Sequence, residues 1–181
     1  MSAFGRAKIA RVTASTDIDW PSAYEELLPR VYHYFCLRSG DSLEAEDLTA
    51  ATFERAWRDR ERYRKDLGAF TNWLFGIARH VLITHYRQNQ RDHLTLEETN
   101  AEKHSRPLEE DTSRKEEFER ITAMLASLPE REREIFSLKY GAQFTNRSIA
   151  KMTGLTESNV GTILHRIVTH LREELENENE R

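Results

Sequence analysis

Residues 148–164, SIAKMTGLTESNVGTIL, and the turns that follow them hold the chain's clearest set of side chains for recognition chemistry. Ser158, Asn159, Thr162, His165 and Arg166 recur at three- and four-residue steps, so they share one side of a helix. Hydroxyls and amides of this size hydrogen-bond base edges, and nearby cations neutralise phosphates. Arg147, Lys151, Arg166 and Arg172 oppose Glu157 alone, which leaves residues 142–172 at a net +3 (four minus one). A second set lies earlier. Arg60, Arg62, Tyr63, Arg64 and Lys65 lead into Asn72, Arg79, His80, Arg87 and Arg91. Cations interleaved with an aromatic ring suit single-stranded nucleic acid, where bases stack and phosphates are neutralised. Taken alone, the same residues describe a solvated charged face over a core stripe equally well.

Other chemistries find little support. His33 and Cys36 share a helix face, and His80 and His85 lie on another helix, but none has paired ligand spacing. There is no phosphate-binding glycine loop and no Gly-x-Ser-x-Gly turn. No catalytic residue, metal or cofactor is expected, and Cys36 reads as a small core residue.

The elements that must position these residues are helical. Residues 70–91 carry Phe70, Trp73, Leu74, Ile77, Val81 and Leu82 on one side. Asn72, Arg79, Arg87 and Gln90 fall on the other side of this helix, about 33 Å long. Before it, Asp41 and Glu44 cap a helix from Leu43 to about Arg58, with Ala45, Leu48, Thr52 and Ala56 in one stripe and Phe53 and Trp57 beside it. Earlier still, Ser22 and Glu25 read as a capping box for a helix in which Pro29 predicts a kink or a fresh start. After the linker, Phe118 to Leu128 and Arg131 to Tyr140 read as two helices, with Ile135, Phe136, Leu138 and Tyr140 as anchors. A helix-turn-helix follows. Ala150 admits close helix approach, Gly154 permits the left-handed turn, Thr156 caps the second helix, and Val160 and Ile163 pack it back on the first.

Composition bounds the class. The 181 residues are 38% hydrophobic and 32% charged, with seven glycines and four prolines, as suits an all-α chain. No apolar run reaches membrane-spanning length, no signal-peptide core opens the chain, and a single cysteine fits a reducing cytoplasm. The net charge of −4 is unevenly spread. Residues 92–120 hold ten acidic and five basic residues, a net of −5, so the remainder sums to +1. The expected organisation is a mobile arm 1–19, a first helical domain 20–91, a flexible acidic linker 92–112, a second helical domain 113–176 and an acidic tail 177–181.

With those motifs in order, the chain resembles bacterial RNA polymerase sigma factors of the extracytoplasmic-function (ECF) type within the sigma-70 family. EAEDLTAATFERAW resembles region 2.2, WLFGIARHVLITHYR resembles regions 2.3 and 2.4, and SLPEREREIFSLKY with the helix-turn-helix resembles region 4. The resemblance implies that Asp47, Leu48, Thr52, Phe53 and Arg55 dock the β′ clamp helices of core RNA polymerase. It implies minus-ten contacts from Arg62, Tyr63, Arg64, Lys65, Asn72, Arg79, His80, Thr84, Arg87, Gln88 and Arg91. Minus-thirty-five contacts would come from Arg147, Thr156, Ser158, Asn159, Thr162, His165 and Arg166, with region 4 also meeting the β flap.

Promoter DNA and an anti-sigma factor are further implied partners. The factor would be a monomer when free or bound 1:1 to the anti-sigma factor, without membrane contact or enzymatic activity of its own. Promoter elements about 17 base pairs apart lie roughly 58 Å apart, and an extended linker of about 21 residues spans up to roughly 70 Å. The chain departs from the family's frequent residues at Ala50-Ala51, His80, Thr84, Ile163 and Ile167-Val168. Two other readings stand beside this one: a stand-alone helix-turn-helix regulator and a helical adaptor that binds only protein.

Overall fold

The computed structural model describes residues 18–95 and 112–179. The expected arm and most of the expected linker, residues 1–17 and 96–111, lie outside the described residues, as do residues 180–181 of the expected tail. Seven α-helices and no strand occur among the described residues. They are α1 (Trp20–Ser39), α2 (Ser42–Arg58), α3 (Phe70–Thr95), α4 (Thr112–Ser127), α5 (Glu130–Phe136), α6 (Asn146–Thr153) and α7 (Glu157–Asn179).

Helix α1 begins ahead of the expected Ser22–Glu25 box. Asp19 is its N-cap, and the Ser22 hydroxyl donates to the Asp19 carboxylate at 2.5 Å. Pro21 falls in the first turn, where a missing N–H leaves no bond unmade. The helix also runs through Pro29 instead of restarting there. Pro29 and Glu25, whose carbonyl loses its helical donor, are both exposed, so water can serve that carbonyl. Leu27 and Val31, buried on either side of Pro29, tie both halves to one core.

Helix α2 starts as its sequence predicts. The Asp41 carboxylate accepts from the Leu43 and Glu44 amides at 2.8 and 3.0 Å. Its buried face is Ala45, Leu48, Thr49, Thr52, Phe53 and Ala56. The two threonine hydroxyls donate to the carbonyls of Ala45 and Leu48, so no polar group is stranded there. Helix α3 buries Leu74, Phe75, Ala78 and Leu82, with Phe70, Trp73, Ile77 and Val81 packed at the margin. Phe75 and Ala78 widen the expected stripe because a second unit packs on that side.

That second unit is α4 to α7. The expected helix from Arg131 to Tyr140 divides: α5 ends at Phe136, and a wider π-type turn covers Ser137–Gly141. Tyr140, expected as an anchor, is half exposed and stacks on Phe136 with ring centres 4.6 Å apart. The wide turn lays Gly141 against α1. A β-carbon on Gly141 would sit 2.8 Å from the Cα and the backbone nitrogen of Tyr34, so only glycine fits this approach. Beyond the turn, Phe144 meets Phe75 edge to face at 4.9 Å, and Phe75 meets Tyr34 at 5.7 Å. The Arg30 guanidinium donates to the Ala142 carbonyl at 2.9 Å. The larger core cluster therefore runs through both helical units, and a smaller one lies within the second unit.

Replacing Asp41 by Ala strands two amides at the start of α2 and should lower unfolding stability by about 1 kcal/mol in urea denaturation. Cys36 is 4% exposed, and burial pushes its thiol pKa up to about 11. The native chain should resist maleimide at pH 8 while the urea-unfolded chain labels fully.

Candidate nucleic-acid interface

The helix-turn-helix is built from local rules. Thr145 caps α6, its hydroxyl accepting from the Ser148 amide at 3.2 Å. Gly154 ends α6 in the left-handed conformation (φ +72°), which glycine adopts without strain. The Thr156 hydroxyl accepts from the Asn159 amide at 3.2 Å and so opens α7. Ile149, Ala150, Val160 and Leu164 are buried between the helices. Ile167 is buried in a neighbouring cluster with Leu125, Leu128, Phe136 and Leu171, and Ile163 and Val168 pack against it. The apolar departures from the family pattern at Ile163, Ile167 and Val168 are thus packing positions.

Opposite that core, Ser158, Asn159, Thr162, His165 and Arg166 are all exposed, as are Arg147 and Thr156. Not all of them are idle. Thr162 donates to the Ser158 carbonyl at 3.1 Å, Arg147 reaches Glu157 at 3.3 Å, and Arg166 reaches Glu132 of α5 at 2.5 Å.

The first polar set divides. Along α3, Asn72, His80, Arg87, Gln88 and Arg91 are exposed and Thr84 is half-buried, its hydroxyl donating to the His80 carbonyl. Arg79, expected on the open face, turns toward the second unit. Its Nε donates to Glu134 at 2.5 Å and its Nη1 to the Met152 carbonyl at 3.0 Å, with the side chain about one-third exposed. The cause is its place beside Phe75, Ala78 and Leu82, the side of α3 that the second unit covers.

In the loop after α2, Arg62, Arg64 and Lys65 are exposed. Arg64 pairs with Asp66 through two hydrogen bonds, which hold the Asp66 carboxyl below its ordinary range. Tyr63, expected to stack on bases, is 6% exposed. Its ring packs on Phe70 and Trp73, and its hydroxyl donates to the Gly68 carbonyl at 3.1 Å. It organises the loop and offers no open ring face. Next to it, a cavity of about 310 Å³ lies between the loop and the first turns of α1, lined by Asp19, Ser22, Glu26, Tyr63, Lys65 and Phe70 among others. On α2, Asp47 is exposed and Arg55 half-buried, whereas Leu48, Thr52 and Phe53, expected at the docking surface, face inward and are buried in the core.

Comparison with known proteins decides the family. Residues 23–92 match the sigma-70 region 2 family and residues 118–171 match the sigma-70 region 4 family. A probable RNA polymerase sigma factor of Haemophilus influenzae is 30% identical over 140 residues, covering 67% of this chain and 72% of that protein. The chain belongs to the sigma-70 family, as an ECF sigma factor. The ECF RNA polymerase sigma factor SigM of Bacillus subtilis is 24% identical over 149 residues, covering 82% of this chain and 90% of that one. The same fold occurs in the Bartonella quintana sigma factor RpoE, crystallised with the anti-sigma factor NepR. There the TM-score is 0.66 at 20% identity, covering 87% of this chain and 97% of the other.

Region 2 of this sigma factor is thus α1 to α3, and region 4 is α4 to α7. Motif reasoning missed the acidic side chains of α5. Glu130 and Glu134, four residues apart, share one side of α5 and reach Arg38 and Arg79 of region 2. Glu132 points away from them, to Arg166. The alternating EREREIF pattern holds that signal, but reading it requires knowing which helices flank α5.

Replacing Tyr63 by Ala removes a buried ring and its hydrogen bond and should cost about 3 kcal/mol in urea unfolding. Lys65→Ala, at an exposed position on the same loop, should change stability by less than about 0.5 kcal/mol.

Proposed function

We propose that this sigma factor binds core RNA polymerase and directs initiation by reading a minus-ten element with region 2 and a minus-thirty-five element with region 4. The observation that carries the reading is a chain with two exposed polar helical faces of different chemistry, each within a sigma-70 region. One, on α3 and the preceding loop, is cationic with amides: Arg62, Arg64, Lys65, Asn72, His80, Arg87, Gln88 and Arg91. It suits a separated strand, because side chains can neutralise phosphates without fitting a groove. The other, on α7, is small and hydrogen-bonding, as a helix inserted in the major groove needs to be.

The cavity beside Tyr63 is where an extruded minus-ten base would lodge. Asp19 and Glu26 at its rim accept hydrogen bonds, which favours a base that presents an amino group. Asp47 and Arg55 on α2 meet the β′ clamp helices, with Leu48, Thr52 and Phe53 holding their helix rigid from within. Region 4 also meets the β flap. Catalysis stays with the polymerase, and the factor works where the polymerase is, in the cytoplasm, without a cofactor.

Control comes from an anti-sigma protein that holds the monomeric factor 1:1; the similarly folded RpoE is found in complex with the anti-sigma factor NepR. The second unit's packing against the first disfavours a stand-alone helix-turn-helix regulator. In such a protein, the reading domain is expected to act without a partner polymerase.

In vitro transcription with core polymerase over a promoter library tests this reading. Specific initiation is expected, and retained core binding with no initiation at any promoter would overturn it. Arg87→Ala should lower open-complex formation about tenfold, roughly one charge-assisted phosphate contact. Its affinity for core polymerase should stay the same; an equal loss of both would place Arg87 on the polymerase side.

A further inference from the structure

A strand-binding loop of this composition needs an aromatic ring beside its cations. Tyr63 cannot supply it, because Phe70 and Trp73 cover its ring. Trp57, in the last turn of α2, is 53% exposed, although tryptophan is highly buried on average. The Arg60 guanidinium lies over the indole, 4.5 Å from the ring centre. It is held there by a 2.7 Å bond from its Nη1 to the Trp57 carbonyl. Trp20 meets the same indole edge to face at 5.2 Å and so fixes the ring from below.

The surroundings of this pair belong to the strand-binding side of region 2. Trp20 also meets Phe70 at 5.4 Å, and Phe70 lines the cavity beside Tyr63. Trp57 is thus two ring contacts from the place assigned to an extruded base. Residues 57–65 carry Arg58, Arg60, Arg62, Arg64 and Lys65 against Asp59 and Glu61, a net of +3 (five minus two). Polymerase docking is the competing use of an exposed ring on α2. Asp47, assigned to that role, lies about 15 Å away along the helix axis. Arg55 is two residues before Trp57, a spacing that points side chains to different sides of a helix.

Resting on the promoter-reading role above, we propose that Trp57 and Arg60 form a stacking platform for one unpaired base of the separated strand, a neighbour of the base lodged in the cavity. A flat indole and a flat guanidinium offer π surface to any base, and the cations around them take the phosphates. Stacking adds affinity with little sequence preference, whereas the carboxylates at the cavity rim select. A base stacked here is lost to the duplex, so the platform holds the strand open.

The test uses holoenzyme assembled from the full chain and core polymerase, with core polymerase alone as the blank. Two labelled single strands are titrated: a 20-mer of mixed sequence, and a 20-mer in which stable abasic sugars replace every base and all phosphates remain. The intact strand should bind more tightly. That preference should fall about tenfold in Trp57→Leu, as loss of one stacked base requires. Trp57→Phe, which keeps a ring, should restore most of it, and the abasic strand should bind all three alike. Arg60→Gln is paired with Arg58→Gln, which removes the same charge from an exposed neighbour. Both should weaken the abasic strand equally, and only Arg60→Gln should also lower the preference for bases. If Trp57→Leu does not fold, the two arginine variants decide between the outcomes.

Equal losses for intact and abasic strands in Trp57→Leu would make the ring a structural support. Loss of core-polymerase affinity in a folded Trp57→Leu would make it a polymerase contact. Either result overturns the proposal, as does an unsubstituted holoenzyme with no preference for bases beyond that of core polymerase alone. If initiation is specific while base preference ignores Trp57 and Arg60, only the platform is wrong. If the preference depends on them while no promoter is used, only the promoter-reading role is wrong.

Discussion

Region 4 can lie flat on region 2 because one residue between them has no side chain. At Gly141 the chain passes so close to α1 that a single methyl group would strike the Tyr34 backbone at 2.8 Å. The wide turn over Ser137–Gly141 brings the glycine there, since a regular α-helical continuation of α5 would rotate it elsewhere. Once it is seated, Phe144 reaches Phe75, and α5 runs alongside α1 and α3 with Glu130 and Glu134 facing Arg38 and Arg79. The shared core is a consequence of this one approach. Protein interiors are close-packed, so no side chain larger than that of glycine fits at this point.

Features set by neighbours in sequence were legible before any fold was known. Asp41 caps α2, Gly154 takes the left-handed turn, Thr156 opens α7, and the Ala45–Leu48–Thr52 stripe is buried, because each rests on residues within a turn or two. The polar face of α7 was legible for the same reason: its core positions and its exposed positions alternate with the helical period.

What was not legible depends on partners distant in sequence. Phe75 looked off-stripe because the stripe it belongs to faces region 4, sixty-nine residues away at Phe144. Arg79 looked exposed because nothing within its own helix covers it. Tyr63 looked like a stacking platform because a basic loop suggests one, yet Phe70 and Trp73 already occupy its ring. Tyr140 looked like an anchor on a continuous helix, and the wide turn rotated it outward. Pro29 was read as an interruption because the sequence cannot tell that its side of α1 faces water.

The charge distribution acquires a different meaning once pairings are known. The net −4 leaves a remainder of only +1 outside residues 92–120. In the folded chain the candidate cations differ more in accessibility than in number. Arg62, Arg64 and Arg147 each have a carboxylate close by, but these pairs sit in solvent, where a phosphate can replace the carboxylate at little cost. Arg79 differs, because Glu134 and Met152 hold it from region 4 and leave its side chain only about one-third exposed. One arginine thereby joins region 2 to two separate helices of region 4.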